Sequence, residues 1–176
     1  CSSYEADEVY NALADALGKI GGWPKANMPD ELLFKTNLLA PKPPDKAVTT
    51  HPSVVSALIK LARNSGFSGK ITVADSPGHL HTDKKEELLK ITGMFDAVKD
   101  DGNAVATILS DAGFVTLKRP SNIILKDLTV SKRYYEAPYV VNMAKLKTHV
   151  ETEITACVKN CFGIADTDTR KKAHLS

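Results

Sequence analysis

Lys145-Leu146-Lys147-Thr148-His149 and, ten residues further on, Lys159 bring amines and an imidazole into one short stretch, with His174 beyond them. A histidine at neutral pH can give or take a proton, and a lysine placed beside other cations can lose its charge and become a nucleophile or a point of attachment. Lys159 and His149 are therefore the candidate catalytic pair. Lys147 nearby and partial desolvation predict a lowered pKa for Lys159. Lys35, Asn37, Thr50, Asp75, Lys145 and Lys147 are candidates for holding an anionic substrate or cofactor, helped by amides at helix starts. His174 and His79 are candidate metal ligands, although two histidines are a weak metal signal.

These residues need elements to position them. Residues 138–143 read as a short buried strand, and 152–162 as a helix. On that helix Ile154, Cys157, Val158 and Cys161 follow the i, i+3, i+4, i+7 spacing of an apolar face, with Thr152, Thr155 and Lys159 on the opposite side. That face predicts Cys157 and Cys161 buried and unbridged, as small core hydrophobes. A cluster held only by cysteines needs four, and Cys1 is the one other cysteine in the chain.

Upstream, Ser2 and Glu5 make a capping box ahead of a helix striped by Val9, Leu13, Ala16, Leu17 and Ile20 and ended by Gly21-Gly22. Residues 31–35 form a strand. Thr49-Thr50-His51-Pro52 opens a second helix, which His51 serves to start, with Val54, Val55, Leu58, Leu61 and Ala62 facing the core. Residues 70–74 form a strand turning through Asp75-Ser76-Pro77-Gly78-His79. Helices are predicted over 83–91 and 103–111, and strands over 114–117 and 123–130. Strands alternating with helices imply an α/β fold, a mainly parallel sheet with helices on both faces, in one domain over 1–176. The strand-to-helix loops of such a sheet open on its carboxyl edge, where ligands bind. Lys35, Asp75 and His149 are expected there on adjacent strand ends.

The net charge of +2, with no long basic run, argues against a nucleic-acid binder. No apolar stretch reaches membrane-span length. Three cysteines without framework spacing fit a reducing, cytoplasmic setting. No glycine-rich phosphate loop, G-x-S-x-G elbow or HExxH is present, which removes the common nucleotide, serine-hydrolase and zincin classes. The start at Cys1 and the stop at Ser176 predict a chain truncated at both ends.

Lys35-Thr36-Asn37-Leu38, Thr49-Thr50-His51-Pro52, Asp75-Ser76-Pro77-Gly78, Val141-Asn142, Lys145-Leu146-Lys147-Thr148-His149 and Lys159-Asn160-Cys161-Phe162-Gly163 together resemble the domain-of-unknown-function family three-six-two. The resemblance spans nearly the whole chain, with Thr36 where the family usually has proline. It implies that this is the amino-terminal part of a longer protein. It also implies a link to ferredoxin-type iron–sulfur modules, so that a metal or iron–sulfur cluster would come from parts outside this chain. More distantly, His149, Lys159 and His174 are similar in order and spacing to the histidine, cofactor-bearing lysine and metal-binding histidine of the nickel-pincer lactate racemase family. Thr50-His51-Pro52 stands where the racemases have an arginine before a proline, and the substrate contact of that arginine is missing.

The expected function is an enzyme-like domain with a Lys/His cleft at the carboxyl edge, binding a small anionic molecule or cofactor. The alternatives are an iron–sulfur-associated electron-transfer protein that docks a ferredoxin-type module, and a non-catalytic anion-binding domain. Neither nucleic acid nor membrane is an expected partner.

Overall fold

The computed structural model describes residues 3–23, 28–78, 83–121, 125–149 and 153–174. Its helices are α1 (Ala6–Lys19), α2 (Pro52–Asn64), α3 (Lys85–Ile91), α4 (Met94–Val98), α5 (Lys132–Glu136), α6 (Cys157–Cys161) and α7 (Thr167–His174). Its strands are β1 (Glu31–Lys35), β2 (Lys70–Asp75), β3 (Ala104–Ile108), β4 (Phe114–Lys118), β5 (Asp127–Ser131), β6 (Val140–Asn142), β7 (Lys147–His149) and β8 (Glu153–Thr155).

The central sheet is parallel, in the order β3-β2-β1-β6. β1 is covered on both faces, which is why it reads as a nearly unbroken apolar run, Leu32-Leu33-Phe34, before Lys35. One face carries the main core, where Leu32, Phe34, Ile71 and Val73 meet Val55, Leu58 and Ala62 of α2 and Leu88, Leu89, Met94 and Val98 of α3 and α4. The other face is thinner. There Leu33, Ala74 and Leu109 pack with Tyr134, Ala137, Val140 and Ile164. Helices thus flank the sheet, as the alternation of strands and helices predicts.

α2 begins as expected. His51 is its N-cap, its Nδ1 accepts from the Ser53 amide at 3.2 Å, and Pro52 occupies the first helical position. α1 keeps its helix but rotates its buried stripe. Val9 is buried and Tyr10, Leu13, Ala14 and Leu17 pack on the core, whereas Ile20 is exposed. The proposed capping box includes Ser2, which lies outside the described residues.

Two expected helices are corrected. Residues 103–111 are not a helix: 104–108 form β3, because Ile71 to Asp75 of β2 offer a parallel partner in register, and only Leu109–Ala112 turn, as a 3-10 helix. The strand expected over 123–130 is present in its described part as β5, paired antiparallel with β4 outside the central sheet. Most important for the site, residues 152–162 are not one helix. Residues 153–155 pair with Lys147–His149 as a hairpin, and α6 begins only at Cys157.

That split undoes the expected apolar face. In the β7–β8 ladder Thr148 stands opposite Ile154, so Ile154 faces outward with Leu146, while Lys147 and Thr155 share the inner face. Ile154 is 58% exposed, Leu146 70% and Val158 89%. Cys157 is exposed and Cys161 partly so; both are free thiols, so the buried pair expected from the sequence is absent. What seats α6 instead is Asn160, which is buried on its inner side.

Candidate functional site

From β1 the chain steps outward through β2 to β3, then returns to lay β6 on the other flank of β1. The strand order therefore reverses at β1, and a crevice opens at the carboxyl ends of β1 and β2, where ligands of open α/β sheets bind. A cavity of about 880 Å³ lies there. Its floor is formed by the ends of β1 and β2, with Lys35, Asn37, Asp75 and Ser76. Lys147 and His149 of β7, Thr155 of β8, Lys159 and Asn160 of α6, and Arg170, Lys171 and His174 of α7 line it further.

Lys35 is the last residue of β1, lies beside Ala74 in the register, and is fully buried. Its ammonium meets Asp75 Oδ1 at 2.5 Å, donates to the Thr36 carbonyl at 2.7 Å and reaches Asn160 Oδ1 at 3.3 Å. A lysine has three N–H donors, and three acceptors surround this one. The other Asp75 oxygen, Oδ2, accepts from the Leu38 amide at 2.5 Å. Lys35 and Asp75 are thus a closed internal pair that fixes the turn after β1. Asn160 completes the lock by donating to Asn142 Oδ1 at 2.7 Å and to the Lys35 carbonyl at 3.4 Å. Gly163 lies directly above: a β-carbon there would come within 3.3 Å of Asp75 Oδ1 and 3.4 Å of Lys35 Nζ.

Lys147 is the cavity lysine whose electrostatics stand out. Its ammonium donates to the Val48 carbonyl, leaving two donors for other partners. Burial holds its pKa below the usual lysine range, and Lys145 and Lys159 push the same way; Asp75 opposes them. Lys159 lines the cavity as well, its Nζ 4.6 Å from the centre of the Phe162 ring. The His174 ring meets that same ring edge-on at 5.0 Å. Arg170 donates to the Pro77 carbonyl at 3.1 Å and to Thr167 Oγ1 at 3.4 Å, while Asp166 caps α7 through the Thr169 amide at 2.8 Å. Burial lowers the Arg170 pKa against the opposing pull of Asp75 and Asp166, and a guanidinium stays charged under such a shift.

The structure thus gathers Lys35, Asn37, Asp75, Lys147, His149, Lys159 and His174 around one cavity. Lys35 and Asp75 end adjacent strands, as expected, but His149 arrives on the separate β7–β8 hairpin. Two anion-binding candidates lie elsewhere. The Thr50 hydroxyl is used between backbone groups, accepting from the Asn37 amide at 2.8 Å and donating to the Met143 carbonyl at 2.6 Å. Lys145 donates to the Tyr4 hydroxyl at 2.7 Å. His51 stacks on the Tyr4 ring at 3.8 Å. His79 lies outside the described residues. Among the described residues no group of three or more His, Cys, Asp or Glu side chains is placed to hold a metal ion.

Sequence reasoning missed the parts played by Arg170, Lys171 and Asn160. Asn160 had a signal, since it directly follows Lys159. Arg170 and Lys171 belong to a short polar run that carries no pattern of its own.

The family model described as Domain of unknown function (DUF362) matches residues 32–176. A thylakoid-associated protein of Synechocystis sp. is 32% identical over 168 residues, which cover 92% of this chain and 47% of that relative. The chain therefore spans about half the length of the relative. No solved structure matches it significantly.

Proposed function

The chain belongs to the DUF362 family, and on that premise we propose that its cleft binds a small anionic molecule, with Lys159 and His149 as the reactive pair. One observation carries this reading. The described cavity wall holds six cationic side chains, Lys35, Lys46, Lys147, Lys159, Arg170 and Lys171, against one carboxylate, Asp75, which Lys35 already engages. Such a wall attracts anions, and a partly enclosed site strengthens each contact relative to water.

Within this proposal Lys147 and Arg170 hold the anion. His149 exchanges protons, and Lys159 acts as a nucleophile or attachment point. A cytoplasmic location belongs to the same proposal; thylakoid association is stated of the relative, and no helix among the described residues is long and apolar enough to cross a membrane. A metal or iron–sulfur partner gains no support from the described residues, where Cys157 and Cys161 are the free thiols.

The test is ligand-linked stability in the full-length protein. Phosphate or a small carboxylate should raise the melting temperature in proportion to occupancy, and Lys159→Ala should reduce the shift. Lys159→Arg separates chemistry from charge. It should keep the anion-induced shift and lose any covalent adduct seen by intact mass or any turnover. Unchanged stabilisation in Lys159→Ala would move the anion elsewhere. Unchanged turnover in Lys159→Arg would leave a non-catalytic anion-binding domain.

A further inference from the structure

The two edges of the central sheet are finished differently. Beside β3 stands an exposed ion pair, Lys85 with Asp111 at 2.6 Å, and Asp111 also accepts from the Thr107 hydroxyl at 3.3 Å. Charges on an edge strand are one of the devices that keep a further strand from pairing there. The β6 edge has no charge of its own: residues 137–144, Ala-Pro-Tyr-Val-Val-Asn-Met-Ala, are uncharged throughout. Two bonds to β1 fix which way its backbone faces. The Leu33 amide donates to the Tyr139 carbonyl at 2.9 Å, and the Met143 amide donates to the Lys35 carbonyl at 2.7 Å. Residues 139, 141 and 143 therefore turn their main-chain groups toward β1, and Val140 and Asn142 turn theirs outward. Among the described residues no strand takes up those outward groups.

The chain from β6 onward also exposes apolar side chains. Tyr139 precedes the strand, Leu146 and Ile154 lie on the outer face of the β7–β8 hairpin, and Val158 lies on the side of α6 away from buried Asn160. A single exposed apolar residue is ordinary. Four of them between residues 139 and 158, following an open sheet edge, mark a surface made to be covered.

We propose that this flank is an internal interface of the longer protein, in which a segment outside residues 1–176 adds a strand to β6 and lays apolar side chains on Leu146, Ile154 and Val158. The match to the Synechocystis relative covers 92% of this chain and 47% of that protein, so the relative carries about as much chain again outside the match. Strand addition is a recurrent way of docking on an open edge, with main-chain bonds giving affinity. A covalently linked segment meets the edge at millimolar effective concentration, about the level reached with short linkers. A second copy has no such advantage. β6 is three residues long, and a stable dimer needs roughly 1,200–2,000 Å² of buried surface. The proposal does not depend on what the cleft binds.

The test is amide hydrogen exchange at residue resolution on the full-length protein, at a concentration where sedimentation shows a monomer. The Val140 and Asn142 amides should exchange within about tenfold of the rate of Val141, whose amide faces β1. A larger gap, with Val140 and Asn142 the faster, overturns the added strand. Protection that appears only where a dimer forms assigns the edge to a second copy and overturns the proposal too. Val158→Asp tests the apolar contact. An aspartate suits the first turn of α6, so it costs nothing if the site is open to solvent. Under an apolar cover it should lower the melting temperature by more than about 2 °C. A smaller shift overturns the contact at Val158. If the variant does not fold, exchange in the unaltered protein decides alone.

Discussion

Lys147 sits where three influences act on one ammonium, and its titration should report them. Burial and the charges of Lys145 and Lys159 favour the neutral amine, against Asp75. The folded pKa therefore lies below the unfolded value of about 10.4. In the ligand-free protein the unfolded chain keeps this proton to higher pH than the folded one. The lysine's unfavourable contribution is thus relieved, and stability rises, as pH climbs through that window. Anion affinity moves the other way, because the anion needs the charged form. Phosphate binding should weaken with rising pH at values below the ordinary lysine range, and Lys147→Arg should move that loss upward. A titration curve identical in the two proteins would show that Lys147 does not hold the anion. Lys35, by contrast, is spent on the fold. Its three donors face Asp75, Thr36 and Asn160, so Lys35→Met should leave the Asp75 carboxylate buried and unpaired and cost about 3–5 kcal/mol in denaturant unfolding.

At the scale of elements, α6 is a short helix whose position depends on side chains that reach past it. Asn160 ties it to Asn142 of β6 and to Lys35 of β1. The following turn, Phe162–Ile164, descends over the ion pair at Gly163. Gly163→Ala places a methyl against Lys35 Nζ and Asp75 Oδ1, two groups with little room to move, and should destabilise the protein by about 1–3 kcal/mol, as overpacking does. Chemical denaturation checks this, and a cost near zero would mean that α6 floats free of the pair. The α2 start offers a second check. His51 Nδ1 accepts from Ser53 only when unprotonated, and burial with nearby Lys145 lowers its pKa. The unfolded chain binds this proton first as pH falls below about 6.5, so stability should drop from there down to the lower folded value. His51→Asn, which retains a capping side chain, should flatten that slope.

Over the whole molecule, the cavity joins a rigid floor to a lightly held wall. The floor is the end of β1 and β2, set in the main core. The wall includes the β7–β8 hairpin, which among the described residues pairs with no strand of the central sheet and turns Leu146 and Ile154 to the outside. Few buried apolar contacts mean low local stability. Amide hydrogen exchange should therefore be slowest in β1 and β2 and fast in β7 and β8, and an anion in the cleft should slow the hairpin selectively. Equal slowing in α1, none of whose residues lines the cavity, would argue against binding at the cleft.

The sequence by itself determined the class of fold and the sheet edge at which the candidate site lies. Leu32 to Phe34 is an apolar run and Ile71 to Ala74 a largely β-branched one, both of strand length, and residues 52–64 carry helical periodicity behind His51-Pro52, so their state is fixed by local pattern. Once strands and helices alternate, Lys35 and Asp75 must end on one edge, side by side. Tertiary structure alone decided what those residues then do. Residues 152–162 satisfy helical spacing, yet 153–155 become a strand because Lys147–His149, just upstream, folds back as a hairpin partner, and helical periodicity within 152–162 carries no sign of that pairing. Residues 104–108 changed state for the same reason beside β2. Lys35 has the composition of an anion-binding lysine, but Asn160, 125 residues away, and Asp75 consume its donors. Pairing with other segments and burial set these outcomes, and they outweigh intrinsic helix preferences of a few tenths of a kcal/mol (~0.5 per residue).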